Sequence, residues 1–222
     1  MHLDDDAVLW SAGENDRADR PMLVMMHGYA SNEGDLFSLA PYLPLEAAIA
    51  SLRGPLTQPP GYAWYPLTGR ASGRVLFGTD LGPAELNGEA GAVAEAVETV
   101  GSWIEAHAGT APVALLGFSQ GGAMALELMR ARPERYACAV VLSGFAIERP
   151  VPGDAGLTSR MPPVFWGRGA DDTVVSAAAV ASTADWMRGH VAVEEHVYPG
   201  LGHGVERAEL SEVSLFLRAH LR

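Results

Sequence analysis

The chain has 222 residues, one domain by length and enough to bury a sizeable core. Hydrophobic residues make up 48% and charged residues 19%, the balance of a compact soluble protein rather than a disordered one. Acids outnumber bases 27 to 15, for a net charge of −12, which argues against nucleic acid and anionic lipid as partners and favours a small neutral or apolar one.

The N-terminus, MHLDDDAVLW, is acidic and lacks the basic start and apolar run of a signal peptide. Nowhere does an apolar run reach the roughly 18 residues that a membrane helix needs, so the expected location is cytoplasmic, with no stable membrane association. Strand patterns cover residues 7–10, 22–26, 47–52, 113–117, 136–142, 163–166 and 191–198, several of them near-continuously apolar. Helical patterns lie between them over 34–43, 89–107, 121–132, 176–188 and 206–221, the second with Val93, Val97, Val100 and Ile104 on one stripe. Alternating strand and helix predicts an α/β fold, a mostly parallel central sheet with helices on both faces, in a single domain over 1–222. Cys138, the only cysteine, cannot form an internal disulfide and sits in the strand-like YACAVVLSG, which predicts a buried, inert thiol in a reducing compartment.

One segment breaks the rhythm. Residues 54–88, GPLTQPPGYAWYPLTGRASGRVLFGTDLGPAELNG, are rich in Gly and Pro and carry Tyr62, Trp64, Tyr65 and Phe77. So long a stretch without a regular pattern is either a functional wall or lid, or a passive surface loop with its aromatics packed down.

In an open parallel sheet, sites form at the carboxyl ends of the strands. After 113–117 comes Ser119; after 163–166 come Asp171 and Asp172; after 191–198 comes His203; after 22–26 comes His27-Gly28-Tyr29. A nucleophile, an acid and a base therefore fall on separate loops at one edge of one sheet. Around the serine the residues read G-x-S-x-G, Gly117 to Gly121. This spacing suits a strained strand-to-helix turn that lifts the hydroxyl above the sheet, with small residues where strand and helix crowd. A serine at a bend can equally cap a helix or fill a turn, and it is the later Asp and His, in the order Ser–Asp–His, that favour catalysis.

The stretches MMHGYASNEGDL, GFSQGGAMAL, GADDTVV and GLGHGV resemble the phospholipase/carboxylesterase branch of the α/β-hydrolases, which includes bacterial carboxylesterases and acyl-protein thioesterases. The resemblance implies a serine carboxylesterase acting on small to medium acyl esters, with Ser119 as nucleophile, His203 as base and Asp172 as the acid that orients it. Asp171 is the better fit to a helix cap or a turn, and His27 to support of the oxyanion loop. The oxyanion donors would be the backbone N–H groups of Tyr29 and Gln120, whose side chains should matter less than their amides. Trp64, Phe77, Phe145 and Val174 could line an acyl pocket, although aromatic residues are more often core. No metal or cofactor is implied, and relatives are often monomers or homodimers. A lysophospholipase or acyl thioesterase would share every catalytic residue, and a binding protein could keep the same fold without turnover.

Overall fold

The computed structural model describes residues 1–17, 20–44, 46–68 and 80–221. Its strands are β1 (Leu9–Trp10), β2 (Met22–Met26), β3 (Ala48–Leu52), β4 (Leu56–Gln58), β5 (Gly61–Ala63), β6 (Val113–Phe118), β7 (Tyr136–Leu142), β8 (Pro163–Gly169) and β9 (Ala192–Tyr198). Its helices are α1 (Glu14–Arg17), α2 (Glu33–Phe37), α3 (Pro83–Leu86), α4 (Ala90–Ala108), α5 (Gln120–Ala131), α6 (Asp154–Arg160), α7 (Ala177–His190) and α8 (Arg207–His220). Seven strands form one sheet in the order β1-β3-β2-β6-β7-β8-β9, and β4 and β5 make a separate hairpin. Within the seven-stranded sheet, among the described residues, only β1, on the edge, runs antiparallel to its neighbour.

Alternate residues of each strand point to opposite faces, and both faces are covered. Val24, Leu115, Val141 and Val164 pack with α4, α5 and α7 on one side. Leu23, Met25, Leu116, Val140 and Phe165 pack on the other with Leu36 of α2 and with Val213, Phe216 and Leu217 of α8. Each such side chain contributes about 1.5–3 kcal/mol when fully buried, set against the entropy of ordering it. Cys138 lies in this second layer, and burial pushes its thiol up to about 12.

Strand order turns back on itself at β2, which has β3 on one side and β6 on the other. That reversal opens a crevice beyond the carboxyl ends of β2 and β6, where parallel sheets bind ligands. Register sets Met26 against Gly117, so the residues that follow the two strands begin side by side.

Three expectations change. The helix expected over 34–43 stops at Phe37 and resumes as a short 3-10 turn over Ala40–Tyr42, because Pro41 has no N–H with which to continue the ladder. Residues 54–88 are not wholly irregular, since the β4–β5 hairpin and α3 lie within them. Helix α6 has no counterpart in the sequence pattern: seven residues, of which only Leu157 is buried, leave almost no periodic signal.

Candidate active site

At the end of β6 the chain reverses into α5 through Ser119, which has φ 53° and ψ −114°. A non-glycine residue at positive φ is strained by about 1–3 kcal/mol and is held there only by its surroundings. The surroundings are close. A Cβ on Gly121 would lie 1.9 Å from the Met26 carbonyl oxygen, and one on Gly117 would lie 2.0 Å from that of Gly121. Strand and helix thus meet backbone to backbone on either side of the serine, and no larger residue fits at those two positions. The Ser119 N–H donates to the Leu142 carbonyl at 2.9 Å, tying the bend to the next strand. Gln120 is the first residue of α5, where the helix leaves its leading N–H groups without intrahelical acceptors.

The histidine and aspartate meet across two neighbouring loops. His203 Nδ1 donates to Asp172 Oδ2 at 2.8 Å, and the other carboxylate oxygen accepts from the N–H groups of Val174 at 2.8 Å and Val175 at 3.2 Å. Burial pushes the Asp172 carboxyl up, but the His203 bond and these two amides outweigh it and hold it below the ordinary carboxylate range. With Nδ1 donating to the carboxylate, Nε2 of a neutral His203 is the acceptor. Asp171 is exposed; its backbone N–H holds the Leu201 carbonyl at 2.9 Å, which joins the two loops. The cap of α7 falls to Ser176, whose own hydroxyl accepts from the Ala179 N–H, so Asp171 is not needed there.

His27 has a different environment. It is fully buried, with Nδ1 donating to the Gly28 carbonyl at 2.7 Å and Nε2 accepting from the Gly54 N–H at 3.0 Å. Burial holds its basicity below the usual imidazole range. Across a trans peptide the carbonyl and the following N–H point oppositely, so fixing the Gly28 carbonyl also fixes the Tyr29 N–H. A Cβ on Gly28 would lie 3.6 Å from Ser119 Cβ, which puts this loop directly beside the serine.

Ser119, His203, Tyr29 and Val174 line one cavity of about 580 Å³, together with Phe118 and Asp35. The Phe118 ring packs against His203 with centroids 4.9 Å apart. Of the side chains expected along an acyl pocket, Val174 is there and Phe77 lies outside the described residues. Trp64 and Phe145 are not among the lining residues: both are buried in the core, and the Trp64 indole N–H donates to the His27 carbonyl at 2.7 Å. Their aromatic character suited a wall and a core equally, and the core took them.

Gln120 corrects another expectation. Its side chain is buried, with Oε1 accepting from the Trp64 N–H at 3.0 Å and Nε2 donating to the Tyr65 carbonyl at 2.7 Å. It therefore clamps the 54–68 segment onto the start of α5, and its truncation would strand two buried backbone groups. Sequence reasoning also passed over Phe118 and Asp35 as lining residues. The signal was local, since Phe118 is the residue before the serine and Asp35 closes the HGYASNEGD stretch.

A family model for phospholipase/carboxylesterase proteins matches residues 12–221. The chain belongs to the phospholipase/carboxylesterase family. Among relatives of this family, it is 32% identical to carboxylesterase SOBER1 of Arabidopsis thaliana over 141 residues, 59% of this chain and 60% of that protein. It is 30% identical to an acyl-protein thioesterase 1 of Debaryomyces hansenii over 104 residues, 46% of this chain and 45% of the other. The matched part thus spans about half to three-fifths of the length of these relatives. The fold is similar to that of a Bacillus cereus carboxylesterase, with a TM-score of 0.76 at 16% identity, covering 96% of this chain and 93% of the other. It is similar too to esterase PE8, with a TM-score of 0.75 at 23% identity over the whole of both chains. These likenesses establish the α/β-hydrolase fold.

Proposed function

We propose that the protein is a serine carboxylesterase that hydrolyses small to medium acyl esters through an acyl-enzyme. The observation that carries this reading is the Asp172–His203 bond at 2.8 Å, made by a histidine that lines the same cavity as the strained Ser119. His203 Nε2 takes the Ser119 proton as Oγ bonds to the acyl carbon, and Asp172 stabilises the imidazolium that forms. The carbonyl oxygen gains negative charge between the N–H groups of Tyr29 and Gln120. The tetrahedral intermediate then breaks its bond to the alcohol oxygen, which receives the proton from His203. Water, deprotonated by His203, attacks the acyl-enzyme and returns Ser119 to its hydroxyl form. Each step moves protons and acyl groups only, so the scheme calls for no cofactor.

Charge supports an ester without a phosphate headgroup. Among the described lining residues the only charged side chain outside the proposed triad is Asp35, and no Lys or Arg is there to receive an anion. Arg53, on the next strand's loop, is engaged by Glu33, with Nε donating to that carboxylate at 2.8 Å. A lysophospholipid is accordingly the less favoured substrate. Thioesters form a second reading, supported by the acyl-protein thioesterases among the relatives, because the same residues can attack either acyl group.

Initial rates on p-nitrophenyl esters from acetate to palmitate, with Ser119→Ala as the blank, test the proposal. A Ser119-dependent rate that peaks at short chains is the expected result. A peak at long chains favours a thioesterase or lysophospholipase, and the absence of any Ser119-dependent rate overturns the esterase reading in favour of a binding protein. No helix among the described residues is long and apolar enough to cross a membrane.

A further inference from the structure

Ser143 follows β7 and is not among the residues that line the Ser119 cavity, yet hydrogen bonds at its position reach the segments that carry Ser119, Asp172 and His203. It is 2% exposed and has φ 47°, the left-handed region that a non-glycine residue occupies only at a cost. Three bonds converge on this point of the chain. The Ser143 N–H donates to the Gly167 carbonyl at 2.7 Å, in the strand that leads to Asp172. The carbonyl just before it, that of Leu142, accepts the Ser119 N–H at 2.9 Å. The Ser143 hydroxyl donates to the Gly204 carbonyl at 3.3 Å, one residue beyond His203. After Ser143, the backbone of Gly144 packs against the first turn of α5, where a Cβ on Gly122 would lie 3.1 Å from Gly144 Cα.

The His203 loop is therefore fastened on both sides of the histidine. Before it, the Leu201 carbonyl is held by the Asp171 N–H; after it, the Gly204 carbonyl is held by the Ser143 hydroxyl. The first fastener is backbone and survives substitution. The second is a side chain, and glycine, which is unstrained at this φ, could not supply it. We infer that Ser143 is a positioning residue whose hydroxyl sets the His203 loop in register with Ser119 and Asp172. This rests on the triad proposed above. Ser143 does not act on the substrate. It limits the excursions of Gly204, and so keeps the imidazole within bonding reach of Asp172 while the serine proton moves.

Two substitutions separate the hydroxyl from the backbone. Ser143→Ala keeps the Cβ and removes the donor; Ser143→Gly removes the donor and also relieves the strain. Both are expected to lower kcat on p-nitrophenyl butyrate by about five- to tenfold, what one neutral hydrogen bond is worth, with KM within about twofold. Rates are expressed per site titrated with a fluorophosphonate, so that a misfolded fraction does not count as lost turnover. The downfield proton resonance of His203 Nδ1–H, identified by its absence in His203→Ala, should shift or broaden in both variants. Wild-type kcat per titrated site in Ser143→Gly, with the resonance unmoved, would overturn the inference. Activity that survives in Ser119→Ala would instead refute the nucleophile itself, which is a separate failure.

Discussion

Two buried carboxylates near the carboxyl end of β8 behave in opposite ways. Asp172 has 7% of its side chain exposed and three hydrogen-bond donors, from His203, Val174 and Val175, and it is held ionised. Glu209, in the first turn of α8, is fully buried; its Oε1 has no partner among the described residues, and Oε2 receives only a long bond from the Glu206 N–H at 3.4 Å. Burial, with Glu206 at the N-cap of α8 and Glu212 within the helix adding repulsion, pushes the Glu209 carboxyl up to about 7, while His196 on β9 works the other way. Both are desolvated, so burial does not separate them. Donors do: a carboxylate keeps its charge inside a protein when N–H groups replace the lost water, and otherwise takes up a proton.

The largest effect should come from removing the charge at the well-served position. Asp172→Asn is expected to fold and to lose roughly 10⁴-fold in kcat, because the amide cannot hold His203 in the tautomer that accepts the serine proton. Asp171→Asn should stay within a few-fold, since that residue contributes its backbone N–H. Equal losses in the two variants, in the same p-nitrophenyl ester assay, would show that the acid has been placed on the wrong residue.

Stability against pH sharpens the contrast at the other carboxylate. The folded value of Glu209 lies above its unfolded one, so its contribution is complete below about 4.5 and is lost as the pH rises through about 7. Glu209→Gln should therefore leave stability near pH 4 almost unchanged and raise it at pH 8, by at most about 3 kcal/mol. Asp172 has the reverse sign: its lowered value supplies stability above the unfolded carboxylate range that disappears as the pH falls through the folded value. Urea titrations at pH 4 and pH 8 measure the Glu209 trend, and a series continued below pH 4 measures that of Asp172. A Glu209→Gln protein no more stable than wild type at pH 8 would mean that the carboxylate finds donors after all.

The last comparison concerns Gln120, where side chain and amide act separately. Gln120→Ala should lower stability by about 1–3 kcal/mol through the two backbone groups it leaves unpaired, with the turnover of the folded fraction largely kept. Gln120→Pro, at a helix position that tolerates proline, loses both the side-chain clamp and the N–H, and should cost a further 10²–10³ in rate. Comparable rates per folded molecule in the two variants would remove the Gln120 amide from the oxyanion account.

What could be read from the sequence followed from local backbone constraint. A Cβ at Gly117 or Gly121 would lie about 2 Å from a backbone carbonyl oxygen, and that pressure writes the G-x-S-x-G pattern into five neighbouring positions. The near-continuous apolar strands declared a sheet covered on both faces for a similar reason. Pro41 also carried a usable signal, and the interrupted helix after β2 could have been read from it. Other features were illegible because their causes are non-local. Gln120 binds backbone groups 55 and 56 residues away, and Trp64 reaches a carbonyl 37 residues away. Residue type alone could not tell a buried Trp64 or Phe145 from a pocket wall. Ser143 shows nothing unusual in the sequence; its strain and its bond to Gly204 exist only once three loops are folded together.

The most direct test of the central claim is to label the folded protein with a fluorophosphonate and map the adduct by peptide mass spectrometry. The account predicts one adduct, on Ser119, absent after heat denaturation and strongly slowed in His203→Ala. An adduct on another residue, or none at all on active protein, would contradict it.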